Sequence, residues 1–199
     1  MNLMRPFGPI IAKFKIPDDI IADMNIDCEH VTSSDQLPDH DMSSTLIGQI
    51  NLQAQMSKYM LDKHHQWFQD RVTDYVQGAY KVTIDNSIVD AWYNRMLHPG
   101  EYNPQHIHPG CAVTSVGYLL LPEKFSNIET RTDLDNGVRG GLELFYGETN
   151  PLSHTQCSII PVVGDYYIFP AVLRHTVYPM PEDLKAERRS FSINFGAHK

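Results

Sequence analysis

Residues 93–121 read YNRMLHPGEYNPQHIHPGCAVTSVGYLLL, and their centre is His106-Ile107-His108. Side chains alternate across a strand, so histidines at i and i+2 point to one face and can offer two imidazoles to one ion. The glycines and prolines around the pair would hold it at a strand edge. Downstream, Gly164-Asp-Tyr-Tyr-Ile-Phe-Pro-Ala-Val-Leu-Arg-His175 has a turn–strand–turn pattern that can return a third histidine, His175, to the same place. Three neutral imidazoles on one face leave open positions opposite, as an oxygen-activating iron requires. The remaining histidines, His30, His40, His64, His65, His98, His154 and His198, lack such a setting and read as surface or structural residues.

The tail ERRSFSINF supplies the second half of the site. Arg188, Ser190, Ser192 and Asn194 share one strand parity, and Phe191, Ile193 and Phe195 share the other. A planar guanidinium pairs bidentately with a carboxylate, and a hydroxyl two residues on can add a third hydrogen bond. If this strand closes the barrel that carries the histidines, its polar face looks inward and offers a post for an acidic ligand.

The rest of the chain bounds the class. It has 199 residues, 42% hydrophobic and 20% charged, enough for one domain with a real core. A net charge of −8 argues against a phosphate-binding surface and so against a nucleic-acid partner. Cys28, Cys111 and Cys157 form no CxxC pair and read as free thiols in a reducing compartment, which points to the cytoplasm. The first residues contain no continuous apolar run, so neither a signal peptide nor a membrane span is expected.

Pro9 to Pro17 reads as an early strand, and Asp18 to Asn25 as a short helix behind acidic capping residues. Thr32 to Ser44 reads as a loop. Between Asn51 and Gly78, Met56, Met60, His64, Trp67, Phe68, Val72, Tyr75 and Val76 recur at steps of three and four, predicting an amphipathic helix with at most one break. Trp67 and Phe68 are core candidates. After residue 80 the period becomes two. Short strands are predicted at Ile88–Tyr93, Ala112–Leu121, Gly141–Tyr146, Cys157–Pro161, Tyr166–Phe169 and Ser190–Phe195. The polar stretch Glu123–Gly140 is long for a hairpin and suits a lid or substrate loop. The expected fold is mainly β with flanking helices: a jelly-roll core over 88–196, preceded by a helical support over 1–87, within a single domain spanning 1–199.

Taken together, the motifs PGEYNPQHIHPG, SVGYLLLPE, GGLELFYG, IPVVGDYYIFPAVLRHTVYP and ERRSFSINF resemble the iron(II)- and 2-oxoglutarate-dependent oxygenase superfamily. They are most similar to an oxygenase family of phages and bacteria related to the prolyl hydroxylases. The resemblance covers roughly residues 88–196 and implies a double-stranded β-helix with iron at one mouth. It implies His106 and His175 as iron ligands, and Arg188 and Ser190 as the receiver of the far carboxylate of 2-oxoglutarate. Tyr118 and Asn94 fall where such enzymes place further co-substrate contacts. The implied reaction consumes 2-oxoglutarate and O2, releases succinate and CO2, and hydroxylates an amino-acid side chain in a peptide or a small-molecule substrate. Where the superfamily carries a carboxylate as middle ligand, this chain has His108. Either His108 ligates, giving a three-histidine site with less negative charge, or it stands aside for water or an anion.

Two other classes share the pattern. Gly100-x5-His106-x-His108 and Gly164-x5-Pro170-x4-His175 also match cupin spacings. Against a cupin, the glutamate expected after HxH is absent and Val172 replaces a glycine. A cupin also has no need of Arg188 and Ser190. The third class is a jelly-roll binding module without catalysis. The substrate and the oligomeric state are not written in the sequence.

Overall fold

In the computed structural model, residues 8–84, 86–123, 140–148, 151, 154–180 and 186–196 are described. The expected lid at Glu123–Gly140 lies almost wholly outside them. Along the chain run β1 (Ala12–Lys15), α1 (Asp18–Val31), α2 (Leu37–His40), β2 (Leu52–Gln55) and α3 (Lys58–Tyr80). Then follow β3 (Ile88–Met96), β4 (Asn103–His106), β5 (Val113–Leu120), β6 (Leu142–Phe145), β7 (Gln156–Ile159), β8 (Asp165–Pro170), β9 (Arg174–Val177) and β10 (Arg188–Phe195). They form a six-stranded sheet, β1-β8-β5-β10-β3-β2, and a four-stranded sheet, β4-β9-β6-β7. Every pairing in both sheets is antiparallel.

The alternation of β10 explains its central place. Phe191, Ile193 and Phe195 are fully buried on one face, in an apolar layer between the large sheet and the helices α1 and α3. There Phe191 meets Phe68 of α3 at 5.8 Å and Tyr166 of β8 at 5.6 Å between ring centroids. The neighbouring strand must leave room for that ring. A Cβ on Gly117 of β5 would lie 2.2 Å from Phe191 Cε1, so only glycine fits there. The other face of β10 looks into the roll, where a second apolar cluster (Val116, Tyr118, Leu142, Leu144, Phe169 and Leu173) joins the two sheets.

The N-terminal portion differs from a purely helical support. Its two strands complete the large sheet, β1 against β8 at one edge and β2 against β3 at the other. Leu52 to Gln55 therefore belongs to a strand and not to the expected helix. The helical period starts only after Ser57, whose side chain caps α3 by accepting the Met60 N–H at 3.1 Å. Ser57 also bonds the Asp27 carboxylate of α1, which in turn accepts from Tyr93 OH of β3 at 2.9 Å. One buried carboxylate thus ties two helices to the sheet. Helix α3 is unbroken; it runs past Gly78 and stops where Lys81 turns left-handed at φ 58°. Helix α1 runs longer than expected, to Val31, because Met24, Cys28 and Val31 keep its buried face going. The expected loop after it holds the single-turn α2.

Candidate metal and acid site

Strand β4 carries His106, and its antiparallel partner β9 carries His175 directly opposite. Opposed residues on neighbouring strands share a face, so the two imidazoles converge. Their ring centroids are 4.2 Å apart. The approach to β4 is fixed by Glu101, which is buried and accepts the backbone N–H groups of Asn51, Leu97 and His98 at 2.8, 2.6 and 2.8 Å.

His108 arrives by another route than the expected one. Strand β4 ends at His106, so strand alternation does not aim His108. Its backbone N–H donates to Ala171 O at 2.9 Å, tying the loop after β4 to the turn between β8 and β9. Trp92 of β3 then stacks on its ring at 5.7 Å and 25°. The outcome is the one expected from the i, i+2 spacing. Its Nε2 lies 3.2 Å from His175 Nε2, and one ligand nitrogen from each of the three histidines falls within 4.8 Å of the others.

The donor set suits a metal. His106 Nδ1 lies 2.7 Å from Pro104 O, and His175 Nδ1 lies 2.8 Å from Leu173 O. A carbonyl oxygen only accepts, so each Nδ1 carries the proton and each Nε2 keeps its lone pair free. Two nitrogens bound at right angles to one ion at about 2.1 Å stand about 3 Å apart, close to the His108–His175 separation. Burial also keeps the rings neutral. It pushes His175 down to about 3 and His108 down to about 4, and lowers His106 as well. Neutral imidazoles are what a metal needs.

The three histidines open onto a cavity of about 680 Å³ whose wall also includes Arg188, Ser190, Ser192 and Asn194. The polar parity of β10 does face inward. Arg188 is 1% exposed, a charge taken almost wholly out of water. Its Nε donates to Gly140 O at 3.0 Å and its Nη1 to Ser190 Oγ at 3.0 Å. Nη2 has no partner, and no carboxylate pairs the charge among the described residues. Tyr118 is fully buried beneath the guanidinium, its ring centroid 5.3 Å from Cζ, and its hydroxyl is also unpartnered among the described residues. Burial pushes that hydroxyl up to about 12, so it keeps its proton and can donate to an acceptor. Asn94 of β3 is the register partner of Ser190 and lines the same cavity. Arg188, Ser190, Tyr118 and Asn94 thus sit together in one corner, and the three histidines face the same space.

Sequence reasoning missed two contributors. Trp92 was visible only as one residue of a strand, though it shares parity with Asn94. Gln53 of β2 lies in the stretch read as helix. It is 1% exposed, lines the cavity, and donates from Nε2 to Asn94 Oδ1 at 2.6 Å.

A double-layered antiparallel roll brings together three convergent imidazoles that could hold a metal ion and a buried guanidinium with no carboxylate partner among the described residues. The comparison with known families agrees: the model of the family described as "Putative 2OG-Fe(II) oxygenase" matches residues 90–194, and the chain belongs to that family. It is therefore an enzyme of the class that uses Fe(II), 2-oxoglutarate and O2, and the cupin alternative falls away. Among solved structures, a prolyl-4-hydroxylase from Pseudomonas putida is 16% identical, with a TM-score of 0.62 over 94% of this chain and 92% of that one. A prolyl hydroxylase from Trichoplax adhaerens, in complex with a hypoxia inducible factor peptide fragment, is 13% identical, with a TM-score of 0.59 over 94% and 83%. HygX from Streptomyces hygroscopicus, with nickel and 2-oxoglutarate bound, is 10% identical, with a TM-score of 0.56 over 94% and 81%. At these identities the likeness shows a shared fold. A comparison with curated proteins finds no match. Among the described residues, no helix is long and apolar enough to cross a membrane.

Proposed function

We propose that the protein is a hydroxylase of an amino-acid side chain, presented in a peptide or as a small molecule, that couples the oxidation to turnover of 2-oxoglutarate. The observation that carries this reading is the buried Arg188 guanidinium, with no carboxylate partner among the described residues, on the wall of the cavity that the three histidines share. A charge left this way costs stability unless a ligand of opposite sign completes it. In this reading His106, His108 and His175 hold the iron. His106 and His175 are fixed by their Nδ1 bonds to backbone carbonyls, and His108 by Trp92 and the Ala171 tie. Arg188 Nη2, the Ser190 hydroxyl and the Tyr118 hydroxyl receive the far carboxylate of the co-substrate, and Asn94 adds a contact beside them. All four side chains can donate a hydrogen bond at that corner, which suits a carboxylate and repels a cation.

When bound, iron would supply the oxidising chemistry with O2 as the oxidant, and 2-oxoglutarate would be consumed alongside the substrate and leave as succinate and CO2. The chain's own residues bind the acid in one orientation, hold the three imidazoles neutral and keep bulk water out of a corner lined by buried groups. The prolyl hydroxylases among the structural neighbours favour a peptide-borne or free amino acid as the substrate, and HygX, with 2-oxoglutarate bound, favours the acid. We also read the chain as one catalytic unit, because β1 and β2 complete the sheet that carries Arg188. Three unpaired cysteines suit a cytoplasmic setting.

The test is turnover. Iron-loaded protein given 2-oxoglutarate and O2 is expected to form succinate slowly, and peptides or amino acids that are substrates are expected to raise that rate. Iron-loaded protein that binds the metal but forms no succinate, with any candidate substrate present, would contradict the reading.

A further inference from the structure

Among the described residues, buried side-chain atoms without a partner include Gln53 Oε1, Tyr118 OH and Arg188 Nη2. Tyr118 and Arg188 belong to the acid post proposed above. Gln53 does not, and it lies outside the segment matched by the family model. It comes from the edge strand β2, yet its side chain is as deeply buried as that of Arg188.

The register explains what Gln53 reaches. Gln53 is the Cα partner of Asn94, and Asn94 is the Cα partner of Ser190. Directly opposed residues on adjacent strands share a face, so the three side chains stand in a row leading to Arg188 Nη1, 3.0 Å from Ser190 Oγ. Gln53 Nε2 donates to Asn94 Oδ1 at 2.6 Å. The Gln53 carboxamide lies beside Gly48, where an added Cβ would stand 2.9 Å from Nε2 and 3.0 Å from Oε1, so a side chain at position 48 would collide with it.

An asparagine carboxamide can present either its oxygen or its NH2 to a cavity. With Oδ1 engaged by Gln53, the group that Asn94 has left to offer is Nδ2, a donor. Beside a guanidinium and two hydroxyls, a donor attracts a carboxylate, whereas the opposite orientation would set a carbonyl oxygen against it. We propose that Gln53 is a positioning residue for the co-substrate: it locks the Asn94 carboxamide with its NH2 turned towards the bound acid. The proposal rests on the 2-oxoglutarate reading of the acid post. It adds a residue that touches neither iron nor acid and acts through Asn94 alone.

The experiment is anaerobic titration of the iron(II)-loaded protein with 2-oxoglutarate, followed by the visible absorbance of the chelate, in four variants. Gln53→Met removes the donor at similar volume, and Asn94→Ala removes the contact. Each is expected to weaken 2-oxoglutarate about tenfold, the scale of one hydrogen bond to a charged group, with iron affinity unchanged. The Gln53→Met/Asn94→Ala double variant is expected to bind no more weakly than Asn94→Ala, because Gln53 has nothing left to orient. Gln53→Glu keeps the size but can only accept, so it turns Asn94 over and is expected to weaken 2-oxoglutarate more than Gln53→Met does. Gln53→Glu also stands alone as the test if Gln53→Met does not fold. Wild-type affinity in either Gln53 variant, or a double variant whose loss is the product of the two single losses, would overturn the proposal while leaving the acid post intact. Absence of any 2-oxoglutarate binding by the wild-type iron form would instead remove the reading on which the proposal stands.

Discussion

Arg188 donates from Nη1 to Ser190 Oγ at 3.0 Å, two residues along the same strand, and its Nη2 stays unpartnered among the described residues. The hydroxyl orients the guanidinium without neutralising it. A buried cation in that state is poised for an anion and is costly without one.

That cost makes an uncommon prediction about stability. Arg188→Met replaces the uncompensated charge with an apolar side chain of similar length. It is expected to leave the ligand-free protein as stable as wild type or more so, by about 1–3 kcal/mol. The same variant is expected to weaken 2-oxoglutarate by roughly 100-fold. Urea unfolding and ligand titration of one protein sample check both. A residue serving only the fold would give the opposite sign in the first measurement.

The histidines separate by role. His175→Ala is expected to abolish stoichiometric iron(II) binding, and His108→Ala to weaken it by on the order of 10–100-fold. His98→Ala, on the loop before β4 and outside the cluster, is expected to change neither. Metal content after dialysis against limiting iron checks all three. Unchanged iron affinity in His108→Ala would mean that the middle histidine stands aside, against its geometry.

Acid should weaken the metal-free protein through the same residues. Burial holds His175 at about 3 and His108 at about 4, below the ordinary histidine value near 6.5. Below pH 6.5 the unfolded chain takes up protons that the folded chain refuses, so stability is full above that pH and falls as pH drops towards 4. The expected loss by pH 4 is on the order of a few kcal/mol from these two rings. Chelator-treated wild type should therefore lose more between pH 7 and pH 4.5 than His108→Asn/His175→Asn, measured by denaturant midpoint at each pH.

The tight seat of Phe191 predicts a cost far from the histidines. Gly117→Ala sets a methyl group 2.2–2.3 Å from the Phe191 ring, which must shift against Phe68 and Tyr166. Overpacking of this kind is expected to cost about 1–3 kcal/mol, read from urea unfolding.

The parts of this structure that were legible in the sequence are those with enough residues to show a period. The 3.6-residue period of α3 is set by Met60, Phe68, Val72, Tyr75 and Val76, and the period of two in β10 by Phe191, Ile193 and Phe195. Both were visible from side chains alone. Strand β2 was absorbed into the helical period that follows it, and β4 (NPQH) and β9 (RHTV) are too polar to mark a buried face of their own. That absorption hid Gln53. The three histidines were legible as a cluster, but not the means by which His108 joins it. Strand alternation does not extend past His106, and the Ala171 tie and Trp92 stack that aim His108 are long-range contacts without a local signature. Arg188 and Ser190 were legible by parity; that no carboxylate pairs Arg188 among the described residues needed the fold.

The most direct test of the account is an anaerobic titration of the apoprotein with iron(II) and then with 2-oxoglutarate, run in wild type, Arg188→Met and His175→Ala. Wild type is expected to give a weak visible charge-transfer band at one equivalent of each. Arg188→Met is expected to bind iron without the band at the same acid concentration, and His175→Ala to show neither. A band of undiminished strength and affinity in Arg188→Met would contradict the claim that the buried guanidinium is the receiver of the acid.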